Sequence, residues 1–200
     1  MCELFAMSAR YPTTVHLSLD ELARHGGETG PHRDGWGVAF HDGRDALVVR
    51  EPAAASRSAW VDHLLRIDHR SSITLAHIRR ATQGERLLRN TQPFTRELGG
   101  RVHVFAHNGM LPGIESVAAF RSERFSPIGD TDSEPAFLAL LDRMAPLWKR
   151  GQPTVDERVD VVSAFAAELR PLGPANFLYT DGDAIFAHGH RRRHGDGSIR

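Results

Sequence analysis

The sequence predicts an α+β fold in which mainly antiparallel sheets are packed with helices that are grouped apart from the strands. Strand-like apolar segments occur both before and after the region of strongest helical periodicity in the 200-residue chain. Turn-forming residues such as 41–44 join neighbouring strands as hairpins, and strand and helix do not alternate regularly. With 40% hydrophobic and 25% charged residues, the composition suits one globular domain, which we place at residues 1–190.

The first half of the chain reads as strand, helix and hairpin. Residues 2–7 form a short apolar strand, and a short helix with Ser18 as its N-cap ends at Gly26 and Gly27. Residues 38–40 and 46–50 pair across a turn. A second helix spans 56–68, with an apolar side that comprises Trp60, Leu64, Leu65 and Ile67.

The second half begins with strands at 72–79 and 102–106 and a short helix at 114–120. Helices at 133–148 and 154–170 follow, and the first of them lies behind good capping residues. Strands at 176–180 and 184–188 close the domain. The composition of residues 191–200 predicts a disordered tail.

The bulk composition excludes several classes of protein. Acidic and basic residues are equal in number, 25 each, so an obligatory nucleic-acid or anionic-membrane partner is not predicted. A single cysteine excludes an internal disulfide framework and a cysteine-rich zinc site. No apolar run approaches the roughly 18 residues of a membrane helix, and the first residues lack the features of a signal peptide. We therefore expect a cytoplasmic protein.

That single cysteine is Cys2, directly after the initiator. If Met1 is removed, one residue carries both a thiol and a free α-amino group, which is the N-terminal form of nucleophilic catalysis. Their reference pKa values, about 8.5 and about 7.7–8.0, make proton exchange between them easy near neutral pH. The alternative is that Cys2 is merely a small buried apolar residue.

Three polar groups stand at predicted element ends, and each has a simpler interpretation. Arg79 could hold a carboxylate through two hydrogen bonds or form a surface ion pair. Asn108 and Gly109 could donate to an oxyanion or form a tight turn. Asp132 could accept from a substrate ammonium or cap a helix. Together with Cys2 they suit the two charges of an α-amino acid whose side chain is the electrophile.

Six ordered segments strengthen this interpretation: residues 1–4, 32–37, 76–82, 90–94, 105–109 and 129–134. They read MCEL, HRDGWG, AHIRRAT, NTQPF, FAHNG and GDTDSE. In these segments the chain resembles a class II glutamine amidotransferase domain of the N-terminal-nucleophile hydrolase superfamily. It is similar in particular to the stand-alone YafJ-like branch, which includes the ergothioneine-pathway γ-glutamyl hydrolases and the Dug3-type subunits.

The resemblance implies a four-layer αββα sandwich in which Cys2 attacks the glutamine side-chain carbonyl, forming a γ-glutamyl thioester and releasing ammonia. The α-amino group of Cys2 would be the base, and Asn108 with Gly109 the oxyanion hole. Arg79 would bind the substrate carboxylate and Asp132 its amino group. The remaining positions that the resemblance assigns to substrate binding are Gly35, Trp36, Gly37, His77 and Thr82. Gln92 stands where many relatives have His, so no catalytic role is carried over to it.

The sequence thus favours hydrolysis of glutamine or a γ-glutamyl compound, with no cofactor and no metal. A separate synthase or acceptor subunit could receive the ammonia, since the chain has no nucleotide-binding motif of the G-x-x-x-x-G-K-[ST] type. One alternative is a non-catalytic or partner-dependent subunit. Another is a histidine-based metal hydrolase, suggested by twelve histidines, of which His188, His190 and His194 form the densest group.

Overall fold

The computed structural model describes residues 2–191, so the predicted tail, apart from Arg191, lies outside the described residues. Eight strands and four α-helices are distributed over that part of the chain. The strands are β1 (Glu3–Thr13), β2 (Trp36–Asp42), β3 (Asp45–Glu51), β4 (Ser71–Ile78), β5 (Phe94–Leu98), β6 (Arg101–Gly109), β7 (Ala175–Thr180) and β8 (Ile185–His188). The helices are α1 (His16–His25), α2 (Ala59–Arg66), α3 (Ser133–Trp148) and α4 (Val155–Leu169).

The first sheet has the order β1-β4-β2-β3, and all its neighbouring strands are antiparallel. The β2–β3 hairpin confirms the turn predicted at 41–44. Strand β1 is longer than predicted, because its backbone stays extended as far as Thr13. A break in its register with β4 between Ser8 and Thr13 leaves this last part on an exposed edge, where apolar periodicity gives no signal.

The second sheet has the order β5-β6-β7-β8 and is also antiparallel throughout. Strand β5 was not predicted from the sequence. Its end residues Phe94 and Leu98 are buried, whereas the residues between them are Thr95, Arg96 and Glu97. A five-residue strand with so little apolar alternation reads as a loop until its partner β6 is known.

The two sheets stack face to face with a helical layer outside each, which confirms the four-layer αββα arrangement. Helices α1 and α2 cover the first sheet around a core that includes Trp36, Val38 and Phe40. Helices α3 and α4 cover the second sheet over a larger core that includes Phe105 and Phe177. Small and medium apolar residues fill the space between the sheets, namely Ala39, Leu75, Val104 and Ala106.

Three local predictions need correction. Helix α1 begins at His16 with Val15 as its N-cap, so Ser18 lies inside the helix and does not cap it. Residues 114–120 form two short 3-10 turns in place of one helix. Trp60 is 56% exposed on α2, while Leu64 on the same helix is buried.

Among the helices of residues 2–191, none has the length and apolar character needed to cross a membrane.

Candidate active site

The predicted polar residues gather at one edge of the sandwich because strands of both sheets begin or end there. Cys2 precedes β1, whose Glu3 pairs with Ile78 at the end of β4. The first residue of β2, Trp36, pairs with the same Ile78. In the second sheet, the end of β6 lies beside the start of β7, where Asn108 pairs with Asn176. Antiparallel pairing therefore brings residues that are far apart in sequence to one place.

A direct hydrogen bond joins the two sheets at this edge. The side-chain amide of Asn108 donates to the carbonyl oxygen of Cys2 at 2.6 Å. An Asn amide carries two N–H donors, so this bond leaves one of them for a second acceptor. The predicted nucleophile and the predicted oxyanion donor are thus in contact.

The Cys2 thiol lies against the main chain that follows β4. Its sulfur contacts the Arg80 N–H at 3.4 Å and the Arg80 carbonyl oxygen at 3.5 Å. Burial raises the pKa of the Cys2 thiol, and the Arg80 N–H and the Arg79 charge oppose that rise only in part. The thiol is therefore protonated near neutral pH and needs a base to become a nucleophile.

Asn108 and Gly109 are the last two residues of β6 and do not form a tight turn. A Cβ atom at Gly109 would collide with the Pro174 carbonyl and lie 2.5 Å from His107 Nε2. Only glycine fits this close approach, and the hairpin-turn alternative for the pair is excluded. The Oδ1 atom of Asn108 is buried and has no partner among the described residues.

Arg79 is 3% exposed, which excludes the surface ion pair as its role. Its guanidinium donates to main-chain carbonyls at distances from 2.7 to 3.4 Å. Those carbonyls belong to Asp34, Gln83, Gly84 and Glu85. Burial lowers the pKa of Arg79, while Cys2 and Asp34 raise it. A substrate carboxylate that binds here must take over some of these donors.

Asp132 occupies the N-cap position of α3 but makes no capping bond. Its Oδ2 accepts from the Leu111 N–H at 2.6 Å, and its Oδ1 accepts from the Ser133 hydroxyl at 3.2 Å. The same hydroxyl lies 2.9 Å from His107 Nδ1. The carboxylate is therefore held toward the residues that follow Gly109, and its negative charge helps to raise the pKa of Cys2.

The Gly35-Trp36-Gly37 segment does not present the Trp36 side chain to an open pocket. That side chain is 1% exposed in the core beneath α1 and α2, and its N–H donates to Glu51 at 3.1 Å. Gly35 and Gly37 pass close to residues 91–93, and a Cβ at Gly37 would lie 2.5 Å from the Gln92 carbonyl oxygen. Close contact with this neighbouring segment accounts for both glycines, so a substrate role for Trp36 is limited to its main chain.

The remaining two predicted residues differ in environment. His77 is fully buried, and neither ring nitrogen has a partner among the described residues. Burial is the main reason that its pKa falls to about 3, so its imidazole is neutral. Thr82 is exposed in the segment after β4.

Asp34 is a site residue to which we assigned no role from the sequence. Its Oδ2 accepts from the Ala81 N–H at 2.7 Å, and its Oδ1 pairs with Arg86 at 2.6 Å. Both ends of the segment that carries the acceptors of Arg79 are thereby attached to one carboxylate. Its place in the HRDGWG motif was the only sequence signal.

Gln92 takes a structural position. Its side-chain amide accepts from the His107 N–H at 2.5 Å and donates to the His107 carbonyl at 3.2 Å. This pair of bonds holds the 91–93 segment to β6 one residue before Asn108. No catalytic contact of Gln92 is needed to explain it.

The alternative of a histidine-based metal hydrolase finds no support in the part of the chain that the structure describes. Within residues 2–191, no group of three His, Cys, Asp or Glu side chains is arranged to hold a metal ion. The rings of His188 and His190 are near each other, with centroids 6.5 Å apart. The third histidine of the predicted group, His194, lies outside the described residues.

The chain is similar to known proteins over most of its length. The chain is 39% identical over 188 residues to YafJ of Escherichia coli (strain K12), which carries a glutamine amidotransferase assignment; the match covers 94% of this chain and 72% of YafJ. A Haemophilus influenzae protein with the same kind of assignment is 35% identical over 94% of this chain and 63% of its own length.

Solved structures give the same result. A predicted glutamine amidotransferase from Pseudomonas aeruginosa superposes with a TM-score of 0.66 at 35% identity, over 94% of this chain and 72% of that one. The glutamine phosphoribosylpyrophosphate amidotransferase of B. subtilis superposes at 0.64, over 94% of this chain and 37% of that one. Its 17% identity supports the fold alone.

A family model covers nearly the whole chain. The model described as "Glutamine amidotransferases class-II" matches residues 1–195. The chain belongs to the class II glutamine amidotransferases.

Proposed function

We propose that this protein hydrolyses the γ-glutamyl amide of glutamine or of a γ-glutamyl compound through a thioester on Cys2. The observation that carries the proposal is the 2.6 Å bond from the Asn108 amide to the Cys2 carbonyl. That bond holds the Asn108 amide against the residue that carries the thiol, and the second N–H of the amide is the donor that we assign to the oxyanion of an attacked carbonyl. Family membership supports glutamine as a substrate, whereas the thioester and the wider γ-glutamyl specificity are our inference.

The base in this proposal is the α-amino group that removal of Met1 would leave on Cys2. An amine on the same residue as the thiol lies within reach of its proton without any rearrangement of the fold. The thiolate then adds to the carbonyl carbon, and Asn108 and Gly109 donate to the resulting oxyanion. Collapse breaks the C–N bond, the proton passes to the leaving amine, and the γ-glutamyl thioester remains.

Water completes the cycle in the reverse order. The free α-amine accepts a proton from the water, whose oxygen attacks the thioester carbonyl. The C–S bond breaks, glutamate leaves, and the thiol regains its proton. No cofactor enters any of these steps.

The head group of the substrate is bound by charge. Arg79 supplies the only kind of group that matches a carboxylate with two parallel donors, and Asp132 supplies an anion for the ammonium. Both residues are almost fully buried, which strengthens their interactions with charged partners. Glutamine and γ-glutamyl conjugates share this head group, so the proposal includes both substrates.

The fate of the amine depends on whether a second subunit is present. An acceptor or synthase subunit stays a prediction, as does the cytoplasmic location. In the non-catalytic alternative, the fold would serve only to bind such a partner. The contact between Asn108 and Cys2 favours the catalytic interpretation, because a binding subunit has no need of an amide donor held against the residue that carries the thiol.

The test is glutamate release from glutamine, glutathione and other γ-glutamyl conjugates by purified wild type and by Cys2→Ala. Alanine keeps a small second residue for removal of Met1 but deletes the thiol. We expect release from at least one compound by wild type and none by the variant. Release by Cys2→Ala would overturn the nucleophile, and no release from any compound by wild type would overturn the hydrolase.

A further inference from the structure

Asn176, at the start of β7, lies behind the proposed oxyanion hole. It is 7% exposed, and its side-chain amide donates to the Asn108 carbonyl oxygen at 2.9 Å. Its own Oδ1 accepts from the His190 N–H at 3.0 Å. The Asn108 side chain thus donates to Cys2, while the main-chain carbonyl of Asn108 is bonded through the Asn176 side chain to the residues after β8.

The bond to Asn108 acts on one particular peptide unit. The carbonyl of Asn108 and the N–H of Gly109 belong to the same rigid peptide plane. A donor that fixes the carbonyl end therefore also fixes the direction of the N–H end. Hydrogen bonds that share a peptide unit also polarise one another, so a donor on the Asn108 carbonyl makes the Gly109 N–H a stronger donor.

We propose that Asn176 is a positioning residue that orients and polarises the Asn108–Gly109 peptide so that its N–H can stabilise the oxyanion. The inference rests on the proposed function, and it adds a residue outside the motifs that carry the family resemblance. The Asn176 side chain donates to the main-chain carbonyl of Asn108, which is not one of the proposed oxyanion donors, so its effect passes through the peptide. Its second bond keeps the amide in the orientation that presents N–H to Asn108, because Oδ1 must face the His190 N–H.

The test compares Asn176→Ala with wild type for kcat and KM on whichever γ-glutamyl substrate wild type hydrolyses. We expect kcat to fall about three- to tenfold, the usual net effect of one hydrogen bond, with KM within about twofold. The second readout is the rate at which iodoacetamide alkylates Cys2. That displacement forms no oxyanion, so we expect its rate to be unchanged.

Thr180→Val is the matched control. Thr180 is fully buried on the same face of β7, four residues further on, and its hydroxyl accepts one hydrogen bond from the Gly182 N–H. We expect it to lose stability without a change in kcat or in alkylation. If Asn176→Ala fails to fold, Asn176→Ser carries the same expectations.

Two results would overturn the inference while the proposed function stands. One is a kcat for the Asn176 variant equal to that of an active wild type. The other is a parallel fall in hydrolysis and alkylation, which would mean that Asn176 only holds the site together. An inactive wild type would instead remove the proposed function on which the inference rests.

Discussion

Replacing Asn108 with alanine separates catalysis from stability. The substitution removes an oxyanion donor, which in hydrolases typically lowers kcat about 10²–10³-fold, or about 2.7–4 kcal/mol of transition-state stabilisation. It also deletes the 2.6 Å bond to the Cys2 carbonyl, worth about 0.5–1.5 kcal/mol of folding free energy. In a chain of 200 residues each 1 kcal/mol corresponds to about 2–4 °C in Tm.

The variant should therefore stay folded at the assay temperature and still lose almost all turnover. Glutamate release gives kcat and KM, and thermal unfolding gives Tm on the same preparation. We expect KM to change little, since the donor acts on charge that develops only in the transition state. A kcat within about threefold of wild type would refute the assignment of Asn108 to the oxyanion hole.

Three further predictions address the other buried groups. Arg79→Lys keeps a charge but loses the planar fork, so KM for glutamine should rise about tenfold or more, and an unchanged KM would remove Arg79 from the substrate site. His77 has a pKa of about 3 in the folded protein and 6.5 as its ordinary value. The unfolded chain thus binds more protons between those values, and stability falls as pH drops through that window. Urea unfolding measures this effect. Between pH 6.5 and pH 5.0, the unfolding free energy of His77→Leu should fall by about 1.6 kcal/mol less than that of wild type. An equal fall in both proteins would contradict this prediction. Arg158→Met leaves the fully buried Asp181 without its partner at 2.7 Å and should cost about 3–5 kcal/mol of unfolding free energy. Arg24→Met removes an exposed ion pair with Glu21 and should lower the unfolding free energy by less than about 1 kcal/mol. Similar losses for both variants would show that burial does not determine the cost.

The sequence predicts most of the elements because their signals are local. Helices at 133–148 and 154–170 agree with α3 and α4 to within a residue or two, since long apolar periodicity marks both of them. The capping box at Thr154 and Glu157 is present as a pair of reciprocal bonds. Strand β5 and the edge half of β1 are determined by partners far away in sequence, so no local pattern reveals them.

The candidate site could also be predicted only in part. The residue types at Cys2, Arg79, Asn108 and Asp132 can be recognised in the sequence because each chemical role needs a particular group. The direction of each side chain cannot be predicted, because strand register decides which face of the sheet a residue occupies. Trp36 illustrates this: its motif is plain in the sequence, yet β2 turns its ring into the helix-covered core. Asn176 carries no sequence signal, since its role depends on pairing with Asn108.

The central claim is that processed Cys2 is the nucleophile, and intact-protein mass spectrometry tests it most directly. The active protein is measured before and after treatment with the glutamine analogue 6-diazo-5-oxo-L-norleucine, followed by peptide mapping. We predict a chain that has lost Met1 and gains one adduct, on Cys2, in step with the loss of activity. Active protein that retains Met1, or inactivation without an adduct on Cys2, would contradict the account.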